Sequence, residues 1–338
     1  MASLVTNSSA VARSPIWVPK GNSTVNFNGG FLFFSDCPEP VTDADLADSG
    51  KWLNRATVNG NGMVYLWHSN DTGHMIHHGL WIYNPNSFPI TVSSTNCGKT
   101  NAFGGSDSDA WASYFSGGPN ESVTIGANAY GVLFNREIDK INFGLIARIT
   151  VKTSSGAAAS AVLYDLAWTS NTSGAVACAK PNGDEFRRGL GSSYYNTYNF
   201  DVLAPTTTDG QAYRIAGSGS DIFGTADLVY ITDESGQRTG YLAGNYGQQL
   251  DMTMKVKNTF STTKNFRIFM GTNVGGASFF PLVNMAGVTQ RYDWISGGSY
   301  VDMIDTGPIA PGATVPVSFF TVVPAVSSTP FVIGARPV

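Results

Sequence analysis

Helical periodicity is almost missing from this sequence. No window of about a dozen residues places apolar side chains at i, i+3, i+4 and i+7 between capping signals. Short runs that alternate apolar and polar residues recur instead, each closed by Gly, Pro, Asn, Asp or Ser. They lie at 24–35, 63–68, 78–83, 90–93, 122–134, 143–152, 161–169, 227–232, 250–256, 266–272 and 313–323. Evenly spaced runs of this kind predict an all-β chain, built as two immunoglobulin-like or Greek-key β-sandwich halves. Hydrophobic residues make up 42% of the 338 residues, enough for more than one sandwich core.

Two segments predict hairpins. Residues 80–83 and 90–92 flank the turn Asn84-Pro85-Asn86-Ser87-Phe88-Pro89, where Pro fixes φ and keeps the residue before it extended. Residues 252–256 and 266–270 flank a polar, Thr-rich linker. Each is followed by a Trp (Trp111, Trp294), a Ser-Gly-Gly (116–118, 296–298), an edge turn and a long strand, at an offset of about 180 residues. That order suggests an internal repeat. The implied organisation is an N-terminal arm at 1–23, a first half at 24–170, a Gly- and Tyr-rich connecting insertion at 171–220, and a second half at 221–338.

Charge narrows the setting. Only 13% of residues are charged and the net charge is −4. A surface of Gly, Ser, Thr and Asn rather than Lys and Glu suits an extracellular or cell-surface protein. No basic run exists, so no nucleic-acid partner is expected, and no apolar stretch approaches the ~18–20 residues of a membrane helix. Residues 1–21 lack the basic segment and apolar stretch of a signal peptide, so export implies a trimmed leader or another route. Cys37, Cys97 and Cys178 are odd in number: one disulfide with a thiol left over, a bridge between chains, or three buried thiols.

Candidate sites are few, and no cofactor is required by any of them. All four histidines fall within residues 68–78. His68, His74 and His78 with Asp71 have the imidazole and carboxylate chemistry of a transition-metal site, the alternative being polar packing. His77 and His78 are adjacent, so on a strand they face opposite ways. Asp43, Asp45 and Asp48, and Asp107 with Asp109, resemble calcium loops in outline; the alternative is a solvated turn. There is no GxSxG and no HExxH, so no catalytic residue is assigned. Trp67, Trp81, Tyr194, Tyr195 and Tyr198 are candidates for stacking on sugar rings, or else fill sandwich cores. The apolar patch Pro15, Ile16, Trp17 and Val18 would let the arm add as a strand to another copy's sheet.

The segments LFFSDCPEPV (32–41), YLWHSN (65–70) and IYNPN (82–86) resemble a group of bacterial surface or secreted β-rich proteins from Gram-positive spore-formers. The resemblance covers roughly the first 130 residues and implies a surface location, not a chemistry. Two readings follow. The first is an extracellular structural subunit that self-assembles with copies of itself into a filament, appendage or layer. The second is a cell-surface carbohydrate-binding sandwich whose partners are surface glycans. A secreted hydrolase comes third.

Overall fold

A computed structural model describes all residues except 103–105, 140–141, 171–176, 179–186, 218, 235–237 and 273–276. The chain is an all-β protein of sandwich-like sheets, as the alternation predicts. It divides into two compact units: unit 1 is Met1–Asn28, Tyr195–Leu228 and Ala243–Val338, and unit 2 is Gly29–Tyr194 with Val229–Leu242.

Unit 2 holds an eight-stranded and a four-stranded sheet. The larger runs in the order β11 (Ser122–Ile125), β10 (Ile90–Ala102), β13 (Asn142–Thr153), β8 (Asn61–Ser69), β5 (Phe31–Ser35), β16 (Arg188–Gly191), β19 (Tyr230–Thr232) and β20 (Arg238–Tyr241). The smaller runs β12 (Tyr130–Ile138), β9 (Ile76–Tyr83), β14 (Ser160–Trp168) and β7 (Asn54–Asn59). Alternate residues of both sheets, among them Val64, Leu66, Leu80, Ile82, Leu145 and Leu163, meet in one core. The helix α1 (Ser108–Phe115) covers the outside of the larger sheet, with Trp111 stacked on Tyr65 at 6.2 Å. A short pair, β6 (Lys51–Trp52) and β15 (Ala177–Cys178), completes the unit.

Unit 1 holds a seven-stranded sheet in the order β1 (Ser3–Leu4), β27 (Ser299–Ile309), β22 (Lys264–Thr272), β29 (Phe331–Pro337), β18 (Gln211–Ile215) and β3 (Ile16–Trp17), with β2 (Val11–Ala12) also on β27. Its six-stranded sheet runs β25 (Val288–Arg291), β24 (Leu282–Met285), β28 (Thr314–Thr321), β21 (Gln249–Lys257), β17 (Tyr195–Leu203) and β4 (Thr24–Asn28). The pair β23 (Ser278–Phe279) and β26 (Ile295–Ser296) stands apart from both sheets. Leu250, Met252, Met254 and Val256 of β21 face Phe266, Ile268 and Met270 of β22 in its core.

The two units share one wiring. The run β11, β10, β13, β8, β5 of unit 2 matches β27, β22, β29, β18, β3 of unit 1, down to the parallel pairing of β5 on β8 and of β3 on β18. In the opposite sheets β12 on β9 matches β28 on β21. One strand breaks the match. In unit 2, β14 lies between β9 and β7, antiparallel to each. In unit 1, β17 pairs directly with β21 and in parallel.

Neither predicted hairpin forms. β9 and β10 lie in different sheets, as do β21 and β22, so each linker is an arch from one sheet to the other. A buried asparagine holds each arch. The Asn84 amide donates to the carbonyls of Phe88 and Ile125 while its Oδ1 accepts from the Asn86 amide; Asn258 repeats this with Thr262, Ile309 and Phe260. An alternating strand needs an apolar partner for its inner face, and a strand across the core supplies one as well as a neighbour in the same sheet.

The expected boundaries also differ from the observed ones. Residues 171–220 are not one insertion: β16, β17 and β18 all come from this stretch. The arm at 1–23 is not separate either, because β1, β2 and β3 pair within unit 1's own sheet. The chain passes between the units at 28–29, 194–195, 228–229 and 242–243, where composition does not change. Among the described residues no helix is long and apolar enough to cross a membrane.

Candidate functional site

The outer face of unit 2's four-stranded sheet is aromatic. Strand alternation sends His77, Trp81 and Tyr83 of β9 outward while Ile76, His78, Leu80 and Ile82 turn in. Register then sets Tyr130 of β12 beside Tyr83, Tyr164 of β14 beside Trp81, and Trp168 beside His77. Tyr83 and Tyr130 lie 4.8 Å apart between ring centroids and tilt by 38°; Tyr130 and Tyr164 lie 6.4 Å apart at 49°. Trp81 meets Trp168 edge-on at 5.9 Å. Tyr130 is 61% exposed, and Trp81 and Tyr83 are half-buried.

Polar groups edge this face. On β7 the exposed Arg55, Thr57 and Asn59 alternate outward, and the Arg55 guanidinium sits 5.6 Å from the centre of the Tyr164 ring. Asn59 also lines a cleft of about 550 Å³ with Gly29, Gly60, Asn61, Lys152 and Tyr194. Gly29 has φ +82°, and a Cβ there would fall 2.4 Å from Cε1 of Tyr194, so glycine lets the ring lie against the backbone. Aromatic faces beside amides, hydroxyls and a guanidinium can take the apolar C–H faces and the hydroxyls of a sugar chain together.

Beneath the face lies a sealed polar network. His68 on β8 and His78 on β9 both point inward to Asp165 on β14, at 2.8 and 2.7 Å from Nε2. The His68 Nδ1 is 2.9 Å from the Pro38 carbonyl, which only accepts. Both His68 nitrogens therefore donate, and the ring is an imidazolium. Burial opposes that charge, but Asp165 and the Pro38 carbonyl raise its pKa. His78 Nδ1 faces the Arg136 guanidinium at 3.4 Å and so accepts. Burial, with Arg136 and His68⁺ nearby, pulls His78 down to about 4 despite Asp165, leaving it neutral. Burial works against the Asp165 anion as well, but the two histidines hold it well below the usual carboxylate range. All three side chains are closed to solvent, so they set packing rather than meet a substrate.

The expected metal ligands do not converge. His74 is exposed and its Nε2 contacts the Asp43 carboxylate at 2.8 Å, while Asp71 is exposed. Among the described residues no group of three His, Cys, Asp or Glu side chains gathers to hold a metal ion. The acidic loops are used locally. Asp45 accepts from the Thr42 amide and hydroxyl, and Asp48 accepts from the amides and hydroxyls of Thr169 and Ser170. Asp107 precedes α1 and Asp109 lies in its first turn.

The aromatic candidates divide. Trp81 belongs to the exposed face and Tyr194 to the cleft. Trp67 is 2% exposed, with its indole N–H donated to Glu39, and Tyr198 is buried in unit 1's core; neither can meet a ligand. Tyr195 is half-buried on β17. In the arm, Pro15 is buried, the Val18 amide donates to Ala212, and Ile16 and Trp17 form β3, with Arg214 4.7 Å over the Trp17 ring. Cys37 and Cys97 are buried and do not bridge each other, and burial pushes the Cys97 thiol up to about 11. The Cys178 side chain lies outside the described residues. Sequence reading missed Tyr83 and Tyr130, although the alternation in 80–83 places Tyr83 on the same side as Trp81; Tyr164 and Trp168 beside them are buried.

No known family profile and no curated protein sequence matches the chain. Solved structures give faint likenesses. The N-terminal CBM22-1-CBM22-2 tandem domain from Paenibacillus barcinonensis Xyn10C is 8% identical, with 99% of this chain and 97% of that one covered, at TM-score 0.16. Lactobacillus farciminis oxalate decarboxylase is 11% identical over 98% and 88%, at TM-score 0.12. At these scores nothing about activity passes to this chain.

Proposed function

We propose that this protein binds a glycan chain on the outer face of unit 2's four-stranded sheet, as an extracellular or cell-surface carbohydrate-binding protein. One observation carries the reading. The arches align Asn84 with Asn258, which sets Tyr83 opposite Lys257, Trp81 opposite Lys255 and, through the strand register, Tyr130 opposite Thr314. The matched sheet of unit 1 therefore presents two Lys and a Thr where unit 2 presents three aromatic rings. The wiring alone does not call for rings there, and exposing them costs solvation.

The tilt of the rings argues for the kind of chain. Planes inclined by 38° at Tyr83 and Tyr130 suit sugars that rotate along a soluble polysaccharide, not a flat crystalline face. Arg55, Thr57 and Asn59 would receive the hydroxyls. Within a single chain the arm's strands pair in their own unit, so self-assembly by strand exchange would require them to leave it. Affinity electrophoresis and calorimetry of the full chain against soluble β-linked and α-linked glycans test the proposal. Tyr130→Ala and Trp81→Ala should each weaken binding about tenfold, near 1.4 kcal/mol, with crystalline cellulose left unbound. Undiminished binding by a Trp81→Ala/Tyr83→Ala/Tyr130→Ala triple variant overturns the site; no binding across the panel overturns the function.

A further inference from the structure

Unit 1 contains a second polar cluster, unlike the first in that its charges are uncompensated. Asp221 and Asp227 are both more than nine-tenths buried. Asp221 accepts the amides of Gly217 and Phe223 at 2.7 and 2.6 Å. Asp227 Oδ2 accepts the Ala216 amide at 2.9 Å and the Tyr198 hydroxyl at 3.1 Å. Neither carboxylate has a Lys, Arg or His ion-pair partner among the described residues. Lys20 is instead placed over the Phe223 ring, 5.4 Å from its centre.

Two buried oxygens of this cluster accept no hydrogen bond from a protein donor among the described residues: Asp227 Oδ1 and Asn245 Oδ1. The Asn245 amide is held beside Asp227. Its Nδ2 donates to the Asp227 carbonyl at 2.7 Å and to the Tyr198 hydroxyl at 3.2 Å. Turning the amide over would set Oδ1 against the Asp227 carbonyl, so the orphaned oxygen is not a misassigned nitrogen. A buried acceptor left unmade costs about 1–3 kcal/mol, and two orphans beside paired carboxylates ask for one electropositive occupant.

We infer that Asp221, Asp227 and the Asn245 side-chain oxygen form a calcium site that ties residues 219–228 to the turn at 244–248. The donors are all oxygens, two of them anionic, which suits a hard divalent cation rather than zinc or copper. Calcium accepts amide and backbone carbonyl oxygens in an irregular shell, whereas magnesium demands a near-octahedral one and keeps its waters. The competing occupant is a single proton shared between the carboxyl groups. Burial raises both pKa values, and the hydrogen bond the two carboxyl groups share raises Asp221 further while it lowers Asp227, the pattern expected of a shared proton when no cation is bound.

The two occupants separate in one experiment. Full-length protein stripped with a chelator is melted with and without millimolar Ca²⁺, and terbium is titrated with emission excited through tyrosine. Calcium should bind once per chain, raise Tm by about 5 °C and displace terbium. Asp227→Asn and Asn245→Ala should each lose at least tenfold in affinity while the Ca²⁺-free melt stays cooperative. If a variant does not fold, the wild-type terbium titration still decides. No Ca²⁺-dependent shift together with no terbium emission overturns the inference in favour of the shared proton. A shift that survives intact in both variants overturns it by placing the ion elsewhere.

Discussion

Units 1 and 2 share an order of strands, yet they bury polarity in opposite ways. Unit 2 admits an extra strand, β14, which carries Asp165 inward and Tyr164 with Trp168 outward. The inward carboxylate meets one imidazolium, and the outward rings pack with Trp52 into a buried cluster against which Trp81 and Tyr83 lie. Unit 1 lacks that strand. The residue matched with His78 is Met252, deep in an apolar core, and the outer face carries Thr253, Lys255 and Thr314. One added strand thus accompanies both the polar core and the candidate site.

The largest effect tests the inward half of that contrast. Asp165→Ala leaves the His68 imidazolium buried without its partner, and should cost about 3–5 kcal/mol, read by urea denaturation. A loss below 1 kcal/mol breaks the assignment of charges. Asn84→Ala and Asn258→Ala come next. Both remove bonds to the two ends of the arch, three donated and two accepted at Asn84 and two donated and one accepted at Asn258, so each should cost about 1–3 kcal/mol. A large cost at one and none at the other would show that the arches are not equivalent.

Acid should then separate the units. The folded His78 stays neutral to about pH 4 while its unfolded counterpart binds a proton near 6.5. Unit 2 therefore loses stability as pH falls from 6.5 towards 4, and again below about 4 as Asp165 loses its anion in the unfolded chain first. His68 works the other way, its contribution being complete below 6.5 and lost as pH rises through its elevated folded value. In unit 1 the Asp221 and Asp227 pair has raised values, so without a cation its stability falls as pH climbs above about 4. Hydrogen exchange followed separately in the two cores measures this, and parallel responses in chelator would contradict it. The smallest effect concerns the face itself. Exchanging Tyr83→Lys and Tyr130→Thr copies unit 1's surface and should change stability by under about 1 kcal/mol, while abolishing glycan binding.

Some of this was readable from residues alone. The inward and outward sides of β9 follow from period-two alternation, as does the opposition of His77 and His78. The repeat also shows in the order of Trp, Ser-Gly-Gly and long strand. Trp67 and Trp81 look alike in sequence, yet Glu39 and its neighbours cover one while the other stays half-buried. His68 and His78 gave a metal signal, but their acceptor is Asp165, nearly a hundred residues from His68. Asp221 and Asp227 have no motif that joins them to Asn245.

Alternation is a property of each strand taken singly, so the sequence by itself determined the β class, the buried side of each run and a sparsely charged exterior. Which sheet a strand joins depends on pairing energies between segments far apart in the chain, and these differ little from one acceptable partner to another. The tertiary structure therefore decided that two apparent hairpins became arches, that the arm closed on its own unit, and that one sheet face left Tyr130 exposed beside half-buried Tyr83 and Trp81.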